Sequence, residues 1–216
     1  MTRHSKPRLL VLHAVRLLGF ADTAAISGHA GVTIDAAAGL LAEAESRSWV
    51  QQFSFADLEG WSLTDEGKIE NERQVATERD SADPEHQIAA AYRDFLPLNA
   101  RLLRAITDWQ ITPTDADVFA SNDHSDRDRD ARILTELSAL NRALAPLVER
   151  LSSVLARFGG YTERFESALN KGKNGHNEWI DRTDVDSCHR VWFQLHEDLI
   201  ATLGIDRRTE STNRPG

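Results

Sequence analysis

Cysteine is almost absent from this chain: among 216 residues there is only Cys188. A disulfide within the chain is excluded, and a zinc site built on cysteines has no ligand set. Long apolar runs are missing as well. No stretch approaches the roughly 20 consecutive apolar residues that cross a bilayer. Arg3, Lys6 and Arg8 ahead of Leu9, Leu10, Val11 and Leu12 imitate the start of a signal peptide. His13 and Arg16 interrupt that run and no small-residue cleavage site follows, so the chain reads as soluble and cytoplasmic, with no membrane partner. Positive charge is in deficit, with 25 Lys and Arg against 34 Asp and Glu and a formal net charge of −9. Any nucleic-acid binding must therefore come from a local basic patch.

Catalytic signatures are also lacking. There is no glycine-rich phosphate loop, no nucleophile elbow and no paired-histidine metal motif on a helix. Cys188 and His189 are neighbours on a helix and face different directions, so they do not form a catalytic pair. The acidic run Asp123 to Asp130 lacks the glycine turn and closing glutamate of a calcium loop. The reading is not an enzyme, with no cofactor and no metal.

What is present is helical periodicity. A first helix is expected from about Arg8 to Leu18, stopped by Gly19. A second follows Asp22, a good N-cap, and ends near His29. After the turn Ala30-Gly31-Val32, Thr33 caps a third helix that runs to about Arg47. Ile34, Ala37, Ala38 and Leu41 fall at i, i+3, i+4 and i+7, which predicts one buried face. Trp49 to Phe53 reads as a strand, Asp57 to Gly60 as a turn, Trp61 to Thr64 as the returning strand, and Asp65 to Lys68 as a helix start.

Helix, turn, helix, hairpin, helix is the order of a winged helix. Residues 8–80 resemble the MarR-like winged-helix regulators through Ala30-Gly31-Val32-Thr33 at the turn and Trp61-Ser62-Leu63-Thr64-Asp65-Glu66-Gly67 after the wing. The resemblance implies that the leucine-threonine-x-x-glycine run closes the wing and that the third helix enters the major groove of DNA. The sequence departs from that pattern. The outward positions of the third helix are Thr33, Asp35, Ala36, Gly39 and Glu43, with none of the usual base readers. The wing tip, Asp57, Leu58 and Glu59, is acidic where phosphates are expected. Residues 1–20 hold Arg3, Lys6, Arg8 and Arg16 and no acid. The expected DNA contacts are therefore Arg3, Lys6 and Arg8 on the backbone, with Thr33, Asp35 and Ala36 at the helix.

A boundary is expected near residues 79–84, where Asp83, Pro84 and Glu85 look like a helix start. The fold class is mainly α: a winged helix over 1–80, an all-α bundle over 84–206 serving dimerisation or effector binding, and a flexible tail over 207–216. One seam is Ile88, Tyr92, Phe95, Asn99, Leu102, Ile106 and Trp109, running across Pro97. A second is Leu137, Leu140, Leu144, Leu147, Leu151, Val154 and Phe158, running across Pro146. A short helix carries Tyr161, Phe165, Ala168 and Leu169. The last helix is expected from about Asp184 to Leu203, with Val185, His189, Trp192, His196, Leu199 and Leu203 facing in. Asn99, Asn141, His189, Trp192 and His196 bring polar groups into these seams, which fits either a structural hydrogen-bond network or a small-molecule effector site. His189 and His196 are about 10 Å apart along a helix and do not share one metal ion. Arg157, Tyr161 and Arg164 form a second cluster, either an anion clamp or solvated side chains.

Two functions remain open. The first is a ligand-responsive transcriptional regulator that binds double-stranded DNA as a homodimer. The second is a protein-interaction or sensing module that no longer binds DNA and serves a metabolic enzyme.

Overall fold

A computed structural model describes residues 2–55 and 58–205, so Asp57 at the hairpin tip and the expected tail lie outside the described residues. The chain is mainly helical, with one two-stranded antiparallel sheet among the described residues. It forms two compact units. The first comprises the residues up to Glu85, Leu155–Arg157, and the described residues from Glu197 on. The second comprises His86–Val154 and Phe158–His196.

The first unit contains α1 (Pro7–Leu18), α2 (Thr23–Ala30), α3 (Ile34–Ser46), β1 (Val50–Phe55), β2 (Leu58–Leu63) and α4 (Asp65–Ala82). Proline at the first turn of α1 gives up an N–H that would have no helical partner anyway, and Gly19 ends the helix at φ 75°. The strands pair from Val50 opposite Leu63 to Phe55 opposite Leu58. Leu58, Glu59 and Gly60 therefore belong to the returning strand rather than to a turn. Leu12, Val15, Ile26, Ala37, Leu41 and Val50 make one apolar cluster.

Asp83 does not start the next helix. It is the C-cap of α4, its N–H donating to the Arg79 carbonyl at 2.8 Å, and α5 (Gln87–Gln110) begins only after His86 at φ 56°. The second unit continues with α6 (Arg127–Val154), α7 (Tyr161–Lys173), α8 (Glu178–Asp181) and the first half of α9 (Cys188–Leu203). Every member of the Leu137–Phe158 seam is buried, and α6 passes Pro146 without a break. The last helix begins four residues later than the sequence suggests. Ser187 is the reason: its hydroxyl accepts the Arg190 N–H at 3.1 Å and donates to the Arg182 carbonyl at 2.6 Å.

The sequence pattern places residues 155–157 and 197–206 in the bundle, whereas in the structure 155–157 and 197–205 group with the first unit. A buried polar network accounts for this. Arg157 pairs with Asp198 and with Glu78 (3.2 Å), and donates to the Thr202 hydroxyl at 2.6 Å. The His13 ring lies between Asp198 Oδ1 and Asn71 Oδ1, each 3.1 Å from one ring nitrogen. Four separate segments thus meet at one carboxylate that is 1% exposed. The Arg3 carbonyl adds a backbone tie, accepting the Ala156 N–H at 2.9 Å.

Burial alone would raise the Asp198 pKa. The charges of Arg157 and His13 outweigh it and hold the group at about 2. Because the folded value lies below the unfolded one of ~3.9, the carboxylate adds stability above that pH and loses it as pH falls toward 2. Denaturant midpoints should therefore drop through this window. Asp198→Asn should flatten the drop while costing about 3–5 kcal/mol at neutral pH, the usual cost of orphaning a buried ionic partner. A variant as stable as the parent at pH 7 would contradict the assignment.

Candidate functional site

The turn between α2 and α3 is set by short-range hydrogen bonds. Asp22 accepts the Ala25 N–H at 2.7 Å, Gly31 takes φ 65°, and the Thr33 hydroxyl accepts the Ala36 N–H at 3.3 Å. The two helices bend by 106° from one another. Ala37, Leu41 and Ala44 are the buried residues of α3. Ile34 and Ala38, expected inside, are exposed, Ile34 by 57%. Ile34 lies on the Leu41 stripe but in the first turn, overhanging the core. Ala38 is rotated about 100° from Ala37 around the helix axis. The exposed residues of the first half of α3 are thus Thr33, Ile34, Asp35, Ala36, Ala38 and Gly39, followed by Ala42, Glu45 and Ser46 in its second half. The first half offers one hydroxyl, one carboxylate and otherwise small or apolar groups.

The hairpin is locked to α4 at Trp49. The Trp49 carbonyl accepts the Thr64 N–H at 3.1 Å. The Thr64 hydroxyl donates to the Ser48 carbonyl at 2.5 Å and caps α4 by accepting the Gly67 N–H at 2.9 Å. A Cβ on Gly67 would lie 1.7 Å from the Trp49 carbonyl oxygen, so only glycine fits. This gives a physical reason for the threonine and glycine of the Leu63-Thr64-x-x-Gly67 run.

Trp49 also stands in a groove of about 630 Å³ lined by Arg3, Lys6, Arg8, Arg47 and Arg73, with Glu70 and Glu78 among them. The guanidinium groups of Arg8 and Arg47 sit 5.0 and 5.1 Å from the indole centroid. Both also pair with Glu43, at 3.2 and 3.3 Å. Arg73 grips Glu70 through two 2.7 Å hydrogen bonds, which hold the Glu70 carboxyl below the usual range. Arg3 donates to the Ser81 hydroxyl. Arg3 and Arg8 are therefore fastened to their own unit, while the Lys6 side chain is exposed with no hydrogen bond or ion pair among the described residues.

The six sequence-expected DNA contacts divide into two places. Arg3, Lys6 and Arg8 gather in the groove, at the end of α3 marked by Glu43 and Arg47. Thr33, Asp35 and Ala36 stand exposed at its other end. From Ala36 to Arg47 is roughly 16 Å along a helix axis. Arg47, Trp49 and Arg73 were missed. The Arg47-Ser48-Trp49 sequence carried a signal, a cation beside an aromatic at a helix end, but Arg73 is masked among alternating charges.

In the second unit the Trp192 indole N–H donates to Asn99 Oδ1 at 3.0 Å. Phe95 stacks on Trp192 at 5.2 Å, and His196 lies 5.4 Å from Phe95 and 6.2 Å from Tyr92. Asn99, Trp192 and His196 therefore share one aromatic cluster. His189 is half-buried and takes no part in these ring contacts. Asn141 keeps a buried Oδ1 without a hydrogen-bond donor among the described residues.

Arg157 and Arg164 do not form a joint clamp, and neither is merely solvated. Arg157 is buried in the first unit's network. Arg164 pairs with Asp186, donates to Gln194 at 2.5 Å, and lies 5.6 Å from the Tyr161 ring centroid. No cluster of metal-binding side chains is found among the described residues, and no single helix there is long and apolar enough to cross a membrane.

Comparison with known proteins returns no matching family model, no matching curated protein and no matching solved structure.

Two glycines make the hairpin geometry testable. Gly67→Ala forces a methyl into the Trp49 carbonyl and should destabilise the chain by about 1–3 kcal/mol or more. Gly39→Ala meets nothing within 4 Å and should stabilise by roughly 0.5–1 kcal/mol through helix propensity. Thermal melts of both variants decide this; equal melting of Gly67→Ala and parent would refute the close approach.

Proposed function

We propose that the chain is a cytoplasmic, ligand-responsive transcriptional regulator whose first unit is a winged helix that binds double-stranded DNA. The observation that carries this reading is the element order of that unit. A capped helix-turn-helix with a 106° bend is followed by a hairpin locked to the next helix through Thr64 and Gly67. Such a unit recognises DNA by laying its second helix in the major groove, and a homodimer would set the spacing of two half-sites.

The chemistry of α3 limits what this binding does. Thr33 and Ser46 are the only hydrogen-bond donor side chains on its exposed face among the described residues, and none of the bidentate base readers stands there, so direct readout of bases is poor. Ala36 and Ala38 suit contact with thymine methyl groups. Most affinity must then come from phosphates, with Lys6, Arg8 and Arg3 as the available cations. The second unit supplies the effector response. Asn99, Trp192 and His196 contact one another or neighbouring rings there, so a ligand among them has to displace stacked aromatics.

One observation favours a second reading, a protein-interaction module accessory to a metabolic enzyme. Ile34 is more than half exposed beside Ala38 and Gly39, an apolar face better suited to protein than to DNA. The guanidinium groups of Arg8, Arg47 and Arg73 are also already paired with carboxylates.

Fluorescence anisotropy on the gene's own upstream DNA, across a series of salt concentrations, separates the two. Arg3, Lys6 and Arg8 are changed together to glutamine. The regulator reading predicts that the parent binds and that the log–log salt slope of the variant is flatter by about 0.9 for every phosphate no longer neutralised. Absence of binding even at low salt would reject it and leave the interaction module.

A further inference from the structure

The second unit contains a groove that the DNA-binding reading does not use. It lies between α5 and α6, has a volume of about 380 Å³, and is lined by Arg101, Arg104, Asp108, Arg129, Arg132 and Glu136 over a floor of Ala105 and Ile133. On each helix the polar residues follow the same spacing, i, i+3 and i+7, which places all three on one face. The helices run antiparallel, because Arg101 pairs with Glu136 at 2.9 Å while Arg129 donates to the Asp108 and Ile111 carbonyls at 2.9 and 2.8 Å. The polar residues therefore form a ladder. One outer rung is closed by an ion pair, and the other is held by one Arg129 terminal nitrogen on two backbone carbonyls.

The middle rung is different. It sets Arg104 against Arg132, two cations, and among the described residues neither has a hydrogen bond or an ion pair. Four guanidinium groups face two carboxylates around the groove, an excess of two positive charges. Arg129 adds a further sign, since its Nε is buried with no acceptor. An N–H left in that state is costly unless something supplies an oxygen.

We propose that this groove binds a phosphate monoester, its dianionic phosphoryl group held between Arg104 and Arg132. Guanidinium groups give paired, charge-assisted hydrogen bonds to phosphoryl oxygens, and a dianion cancels the local excess. The Ala105 and Ile133 floor accepts a short carbon body. The polar walls exclude a large aromatic one.

Isothermal titration calorimetry on the full chain tests this with glycerol 3-phosphate, inorganic phosphate and succinate, at constant ionic strength. The ester should bind more tightly than inorganic phosphate, and succinate more weakly than either. Arg104→Gln combined with Arg132→Gln should weaken the ester by about tenfold or more. The same double variant should melt no lower than the parent without ligand, because neither side chain has a hydrogen bond or ion pair among the described residues to lose. Arg93→Gln, exposed on the same helix outside the groove, should change nothing. Binding that survives the double substitution, a reversed order of ester and phosphate, or no binding by the parent would overturn the proposal. None of these outcomes depends on whether the chain binds DNA.

Discussion

The pairing of Arg157 with Asp198 is the interaction on which the first unit depends. Both side chains are buried, and each brings a distant stretch of sequence to the N-terminal helices. Around them His13, Asn71, Glu78 and Thr202 fill the remaining hydrogen-bonding positions. A buried ion pair contributes little net stability, because desolvation offsets most of the attraction. Its effect is on specificity. With Asp198 in place, only an arrangement that supplies a guanidinium and an imidazole leaves no orphaned charge. That requirement selects the 155–157 segment and the end of α9 as parts of the first unit.

The same network explains where the sequence could be read and where it could not. The Leu137–Phe158 seam was legible because leucine every third or fourth residue has only one stable use, and all of it is buried. The caps at Asp22 and Thr33 were legible because a local side chain makes a local bond. The inner face of α9 was not. It includes Gln194, Asp198 and Thr202, which hydropathy assigns to solvent, and their burial depends on partners between 41 and 185 residues away for Asp198 alone. The three- and four-residue spacing from Val185 to Leu203 favours His189 and His196 instead, and these are only half-buried. At Asp83 a run with the composition of a helix start proved to be a helix end, because α4 is polar nearly all round and carries no periodic signal to mark its length.

Of the candidate contacts, the basic arm was visible as an acid-free stretch, but the groove it lines was not. That groove needs Arg47 and Trp49 from the end of α3 and Arg73 from α4. In a chain of net charge −9, both basic grooves are local exceptions, and they differ in kind. In the groove around Trp49, Arg8, Arg47 and Arg73 already have carboxylate partners. In the groove between α5 and α6, the side chains of the central two cations, Arg104 and Arg132, have no hydrogen bond or ion pair among the described residues. In the first, any added anion has to compete with the chain's own carboxylates. The second carries an excess of two positive charges with no partner for its central pair among the described residues.

The most direct test of the central role of Asp198 is to express residues 1–85 alone and follow their unfolding. This fragment keeps α1 to α4 and the hairpin but loses Arg157, Asp198 and Thr202. His13 would keep Asn71 but lose Asp198, Glu78 would lose Arg157, and the buried apolar side chains of Leu155, Ile200 and Ala201 would be missing. The expected result is no cooperative thermal transition and a poorly dispersed amide spectrum. A fragment that melts cooperatively, with the stability of the full chain's first unit, would contradict it.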